Sequence, residues 1–534
     1  PFHLPDYPLE GTGFDTQKEL LRDRVYTGLK QFHADEDGKI TKEAIDRAEM
    51  ELEIINDMGF PGYFLVVGDC LTYVKKRGFP VGPGRGSGAG SIVNQCLNIT
   101  TIAPLRYGLP FSRFLNRGRI DSPPDIDSDL TNAAQLVLFA YASHKFGADK
   151  VARIANYTLL KGKSAIKDAA RALDYSPAFA MKLNKDFWVG QGGKATIHDV
   201  ILGNRNDLAK DDKRSYDEAQ SMRDYYASDR DAKKVYDLAM DIEGIFRQFG
   251  VHAGGLVVSP TPIWDYTAIR RKKGDDVAFT QFDKTEVEKA GLVKIDFLGL
   301  ENLNHISTAV RIVNRDLGED LDINRLPLDD RATYSLIQSG DLDGIFQVGT
   351  SPGMQEFVVR MKPTNFDHLS AAIALYRPGP MSANAHMDYA DRKNGRQAIT
   401  TLHPDLNDLL EDTFGLIVYQ EQVMSISMKF AGFDEIKADD FRSAMGKKKV
   451  DKMAAMRIDW NAGFKANGYN QKLADDLWNL VEPFSGYAFN KSHSVAYGML
   501  VDQTAYLKAN YPAQVAAAVI ENSGKDKEGS NVEE

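Results

Sequence analysis

Cysteine is almost absent from this 534-residue chain: only Cys70 and Cys96 occur, far apart and in no Cys-x-x-Cys pair. That scarcity argues against a disulfide framework and a cysteine zinc site, so both thiols are expected to be small buried hydrophobes. Long apolar runs are missing as well. No segment approaches the roughly 18 residues of a membrane span, and the opening PFHLPDYPLEGTGFD has neither the basic nor the apolar region of a secretory signal. The expected location is the cytoplasm, with no membrane partner. Excess positive charge is also lacking, since 65 Lys and Arg against 75 Asp and Glu leave a formal net charge of −10. Affinity for nucleic acid comes largely from neutralising phosphates, so the total argues weakly against a DNA partner. The distribution still allows one: Lys75-Lys76-Arg77, Arg270-Arg271-Lys272-Lys273 and Lys447-Lys448-Lys449 can line a positive groove on an acidic body.

What is present is the composition of an ordinary globular protein, 43% hydrophobic, 26% charged and 10% aromatic, at a length that suggests about three or four domains. The first sixty or so residues read as helices. Thr41 is a plausible N-cap, Ile45, Ala48, Leu52 and Ile55 form a stripe at helical spacing, and Gly59 ends it. From 60 to 130 the glycine-rich and aspartate-rich text predicts loops and short strands at a sheet edge. From 131 to 250 a charged, mainly helical pattern reads as an inserted helical domain. Strand-like text returns at GGLVVSP and GLVKIDFLGL, completing the first sheet, and 301–520 is again helix-rich before a polar tail, 521–534.

Three segments carry the chemistry. In Pro123-Pro124-Asp125-Ile126-Asp127-Ser128-Asp129 the prolines favour extended chain, where i, i+2 and i+4 share a face, so three carboxylates would project side by side. Such a cluster repels itself unless a cation sits among the oxygens, as magnesium does; an exposed acidic turn is the plainer alternative. In Leu292-Val293-Lys294-Ile295-Asp296-Phe297 alternation puts Val293, Ile295 and Phe297 on one face and Lys294 and Asp296 on the other. Alone this is a structural ion pair; beside the acidic strand it permits a two-metal arrangement. In Gly82-Pro83-Gly84-Arg85-Gly86-Ser87-Gly88-Ala89-Gly90 glycine takes every second position, which leaves backbone N–H groups able to face an anion. The segment fits neither a Walker A loop nor G-x-G-x-x-G. Weaker pointers are a turn at His252-Ala253-Gly254-Gly255, Arg377-Pro378-Gly379-Pro380, Tyr419-Gln420-Glu421-Gln422, Arg442, and Asn490-Lys491-Ser492-His493. Together they look like a surface for phosphates and bases; singly, each reads as a solvated face or a cap.

GPGRGSGAGS, RFLN before PPDIDSD, HAGGLVVSP, TQFDK, GLVKIDFLGL, ALYRPGP, YQEQVM, AMGKKK and FNKSHSVAY stand in this order. Through these blocks the chain strongly resembles, from about residue 50 to 520, the family C DNA polymerases, the catalytic (alpha) subunits of bacterial replicative DNA polymerase III. The resemblance implies an α+β fold: a DNA polymerase beta-like nucleotidyltransferase palm with a helical thumb inserted and large helical fingers. The implied domains are palm at 1–156, thumb at 157–251, palm again at 252–300 and fingers at 301–520. It further implies Asp125, Asp127 and Asp296 as catalytic ligands of two Mg2+ ions, and Arg85, Gly86, Ser87, Arg113 and Lys294 on the nucleotide phosphates. Arg377 and Arg442 would be added from the fingers, with His493 near the incoming sugar.

The implied reaction is template-directed addition of deoxynucleoside triphosphates to a primer 3′-hydroxyl. The implied partners are primer-template DNA and a separate proofreading exonuclease, in a bacterial or phage-infected cell. The family's phosphoesterase-like and clamp-binding modules fall outside the match, so the chain is expected to be an excised core or a minimal, phage-encoded enzyme working without a sliding clamp. After Asp127 the match decays: Leu130 stands where an aromatic is usual, which leaves Asp129 without an assigned role. A catalytically silent DNA-binding or assembly module, and a template-independent nucleotidyltransferase, are the rival readings.

Overall fold

The computed structural model describes residues 2–119, 123–189, 193–209, 212–271, 274, 277–446, 450–485 and 488–523. Of the basic clusters, Lys272, Lys273 and Lys447–Lys449 lie outside the described residues, as does 524–534 of the polar tail. The fold is α+β. Among the described residues six strands, β1 (Asp127–Leu130), β2 (Val151–Leu159), β3 (Phe246–Val258), β4 (Ile269–Arg270), β5 (Ala278–Asp283) and β6 (Lys294–Gly299), join in the order β1-β6-β3-β2-β5-β4. The sheet is mixed: β1 runs parallel to β6 with Asp127 opposite Asp296, and β3 runs antiparallel to β6 with Gly255 opposite the same aspartate. Gly254 allows that approach, because a Cβ there would stand 2.5 Å from the Phe297 carbonyl oxygen.

The chain divides into two compact units, one formed by 1–153, 253–278 and 287–534, the other by 154–252 and 279–286. Among its described residues the first contains three apolar clusters. One packs helices Gln17–Phe32, Lys42–Asp57, Pro61–Lys76 and Asn132–Phe146 against strand residues such as Leu130, Ile295 and Phe297. Thr41 caps the second of these helices as expected, with Ala48, Leu52 and Ile55 buried. Another surrounds the long helix Lys491–Asn510, and the third gathers Phe433, Phe441, Phe464 and Trp478 about a fully buried Trp460. The second unit has its own core of Ile166, Leu183, Val200, Val235 and Tyr236 on short helices between Gly162 and Ile242.

Three local expectations are corrected. Residues 61–76 form a helix rather than loops and short strands, with Pro61 in its first turn. Tyr63 to Gly68 are all buried, so no amphipathic period marked the helix. Within the stretch read as helical, VARIANYTL forms β2. His252 to Gly255 lie inside β3, not at a turn. Both cysteines are buried and free, and among the described residues no helix is long and apolar enough to cross a membrane.

Candidate active site

The register of β1 and β6 brings three carboxylates together. Ligand oxygens of Asp125, Asp127 and Asp296 all lie within 4.8 Å of one another. Asp125 is exposed just before β1, Asp127 half-buried at its start and Asp296 buried in β6. Between the two acids of the first segment Ile126 is buried, and its amide donates to the Tyr63 hydroxyl at 3.3 Å, which fixes the segment extended. Burial, then the charges of Asp125 and Asp296, push the Asp127 carboxyl up to about 6. Clustered hard oxygen donors under mutual repulsion suit a divalent cation, whose charge removes that penalty. Lys294 adds a fixed cation: its ammonium donates to the Asp296 carboxylate, both side chains being nearly buried.

Asp129 does not join the trio. It is 1% exposed and is taken by Arg85, whose Nη1 donates to Oδ1 at 3.0 Å, and by Tyr497, whose hydroxyl donates to Oδ2 at 3.2 Å. Arg85 Nη1 also donates to the Tyr497 hydroxyl at 2.6 Å, and Arg85 Nε stands 3.9 Å from Asp127. The expectation of three carboxylates side by side from one strand thus gives way to two plus Asp296 from the neighbouring strand. The guanidinium draws the third one away.

The glycine segment begins by pairing with β1, the Gly82 amide donating to the Asp129 carbonyl at 2.8 Å. It then makes a 3₁₀ turn over Gly86–Gly90, whose last three residues are buried. Gly86 has φ +63°, a region closed to most side chains, and its amide donates to His493 Nδ1 at 3.0 Å. That bond leaves the His493 proton on Nε2. Burial, then Arg85 and Arg377, lower the imidazole to about 4, so it is neutral. Its ring tilts over Tyr497 with centroids 4.2 Å apart. Ser87 is half-buried in the same turn.

The turn is held from behind by a residue the sequence reading missed. Glu51 is fully buried; its carboxylate accepts from Arg47 Nε at 2.7 Å, Ser91 Oγ at 2.7 Å, and the Ile92 and Val93 amides at 3.1 Å each. Arg47 Nη2 in turn donates to the carbonyls of Gly90 and Leu109 at 2.8 Å each.

The remaining cations come from helices and loops of the same unit. Arg113 donates from Nε and Nη2 to the Gln420 amide oxygen at 3.0 and 2.8 Å. Burial, then the nearby Arg442, lower it to about 10. Arg442 and Arg119 share the buried Asp439, at 2.9 and 2.6 Å. Asn490 caps the Lys491–Asn510 helix on the His493 amide and donates to the buried Glu421 at 2.8 Å, tying the YQEQ and NKSH segments together. Arg377 lies over the Phe489 ring, 4.1 Å from its centroid. Lys75, in a basic cluster that can line a positive groove, donates to the Asn98 carbonyl at 2.6 Å, and Arg77 covers the Tyr73 ring. Tyr497, one helical turn beyond His493, was visible as an i,i+4 pair; Asp439 and Glu51 carried no comparable signal.

Residues 19–299 match the family described as bacterial DNA polymerase III alpha NTPase domain, and residues 302–468 match the bacterial DNA polymerase III alpha subunit finger domain. Among curated relatives, the DNA polymerase III subunit alpha of Mycobacterium tuberculosis (strain CDC 1551 / Oshkosh) is 42% identical over 91% of this chain and 41% of the relative. The proteins of that name from Pseudomonas aeruginosa and Escherichia coli O157:H7 are 40% and 38% identical, each over 97% of this chain and 44% of the relative. The chain therefore spans less than half the length of the relatives it matches. An acidic trio at the β1–β6 pair, with Lys294 and Arg85 beside it and followed by a matching helical region, agrees with these similarities, and the chain belongs to the bacterial DNA polymerase III alpha subunit family.

Proposed function

We propose that this chain is a template-directed DNA polymerase, adding deoxynucleotides to a primer 3′-hydroxyl with release of pyrophosphate. The observation that carries the reading is the meeting of Asp125, just before β1, with Asp127 of β1 and Asp296 of β6, beside Lys294 and Arg85. Two magnesium ions held by these carboxylates supply, when bound, an activated primer oxygen and charge neutralisation at the reacting phosphate. The chain's own groups do the rest. Arg85 exchanges its aspartate partners for triphosphate oxygens, the Gly86–Ser87 turn offers backbone donors, and Arg113, Lys294, Arg377 and Arg442 gather the departing negative charge. His493, neutral and fixed through Gly86, presents Nε2–H toward the sugar.

In this reading residues 1–156 and 252–300 are the palm, 157–251 the thumb, and the helices of 301–520 the fingers. Thumb and fingers hold DNA by its phosphates without reading sequence. The setting is the cytoplasm of a bacterial or phage-infected cell.

The test is extension of a labelled primer on a longer template with magnesium and all four deoxynucleotides. Extension that copies the template supports the reading; untemplated addition would make the chain a terminal transferase, and tight DNA binding without any addition would make it a scaffold. Within that assay Arg85→Ala is expected to raise the KM for nucleotide by about 10-fold or more, the loss of a charge-assisted phosphate contact. DNA affinity, followed by fluorescence anisotropy, should change less, and the reverse ranking would move the glycine turn to the DNA side.

A further inference from the structure

Away from the acidic trio, one buried carboxylate has no visible purpose. Asp502, on the helix Lys491–Asn510, is 2% exposed. No hydrogen bond or ion pair reaches it among the described residues, although such a group in an apolar setting is costly unless paired. Burial, then the neighbouring Asp330, push its carboxyl up to about 7. It lines a cavity of about 240 Å³ together with Thr101, Arg106, Tyr107, Asn324, Arg325 and Gln503. Thr101, Asn324, Arg325 and Gln503 also line an adjoining cavity of about 680 Å³, which Lys75 reaches. None of the residues assigned to nucleotidyl transfer lines either cavity.

The chemistry of the walls selects a ligand. A buried carboxylate in the wall, with no hydrogen bond among the described residues, calls for N–H donors. The cations Arg106 and Arg325 argue against a positively charged molecule and for one that carries an anionic group; the Arg325 side chain is 85% exposed and, among the described residues, paired with the half-exposed Asp322 at 3.4 Å. Guanine offers two adjacent N–H donors that match a carboxylate. Adenine offers a donor beside an acceptor and does not. Amide and hydroxyl groups on Asn324, Gln503 and Thr101 can serve the other base edges. We propose that these two cavities form an accessory guanine-nucleotide site, with the base on Asp502 and the phosphates toward Arg325.

The probe is GDP, titrated calorimetrically into the whole chain at pH 8 with chelator and without DNA, so that the result is independent of the polymerase reading. Saturable binding that guanosine competes and ADP does not is expected. Asp502→Asn should weaken it about 10-fold or more, the loss of hydrogen bonds to a charged acceptor, while primer extension without GDP and the melting temperature stay at or above wild type. Arg325→Ala, at an exposed side chain that cannot compromise folding, should weaken GDP but not guanosine. Absence of saturable binding, equal binding of ADP, or binding indifferent to both substitutions would overturn the proposal.

Discussion

Asp127→Asn is expected to lower primer extension by about a thousandfold or more, since a carboxamide cannot replace an anionic metal ligand and the metals are asked for several kcal/mol of barrier reduction. Asp296→Asn should do the same, although the two residues come from strands far apart in sequence. A drop of less than about tenfold in both variants would remove the trio from the chemistry. Stability should move the other way. The Asp127 carboxyl is raised from 3.8 to about 6, so between those pH values the folded chain keeps a proton that the unfolded chain has released. Charging the group inside the fold therefore costs stability, and the cost is complete above pH 6. Without metal, the wild type should lose stability as pH rises through that window. At pH 8 the asparagine variant should be the more stable by roughly 1–3 kcal/mol, as urea denaturation would show. An inactive variant that is also destabilised would indicate misfolding rather than lost ligation.

The second large effect is expected at Glu51, which touches no proposed substrate. Glu51→Ala leaves the buried Ser91 hydroxyl and the Ile92 and Val93 amides without their acceptor and takes the carboxylate from the half-buried Arg47. Removing one partner of a buried, hydrogen-bonded ion pair costs about 3–5 kcal/mol, which should appear as a clear fall in melting temperature. Because Arg47 also holds the Gly90 carbonyl, activity should fall before global unfolding does. A variant with wild-type melting behaviour would mean that water replaces the carboxylate there.

Much of this centre was legible in the residues. The prolines before Asp125 and the alternation around Asp296 announced extended chain, and the parallel register then placed the two aspartates opposite each other. The first cap, Thr41, was readable because capping is local. What escaped was non-local or symmetric. Helix Pro61–Lys76 is buried on every side along much of its length and shows no polar face to betray its period. β2 carries Arg153, Asn156 and Tyr157 among its apolar residues and sits between helices, so its neighbours coloured its reading. Alternation put Asp129 on one face with Asp125 and Asp127 because it is blind to an arginine arriving from forty residues upstream and a tyrosine from the far helix. Glu51 could be recognised only once the segment it supports had been folded over it.

The pairing of β1 with β6 also governs when the protein acquires its centre. Asp125 and Asp127 leave the ribosome long before Asp296, and the stretch between them contains a unit with a core of its own. That unit can fold during synthesis, whereas the acidic trio cannot assemble until residue 299 has emerged and β6 has found β1. A nascent or truncated chain ending before β6 therefore holds only two of the three carboxylates that meet in the folded chain.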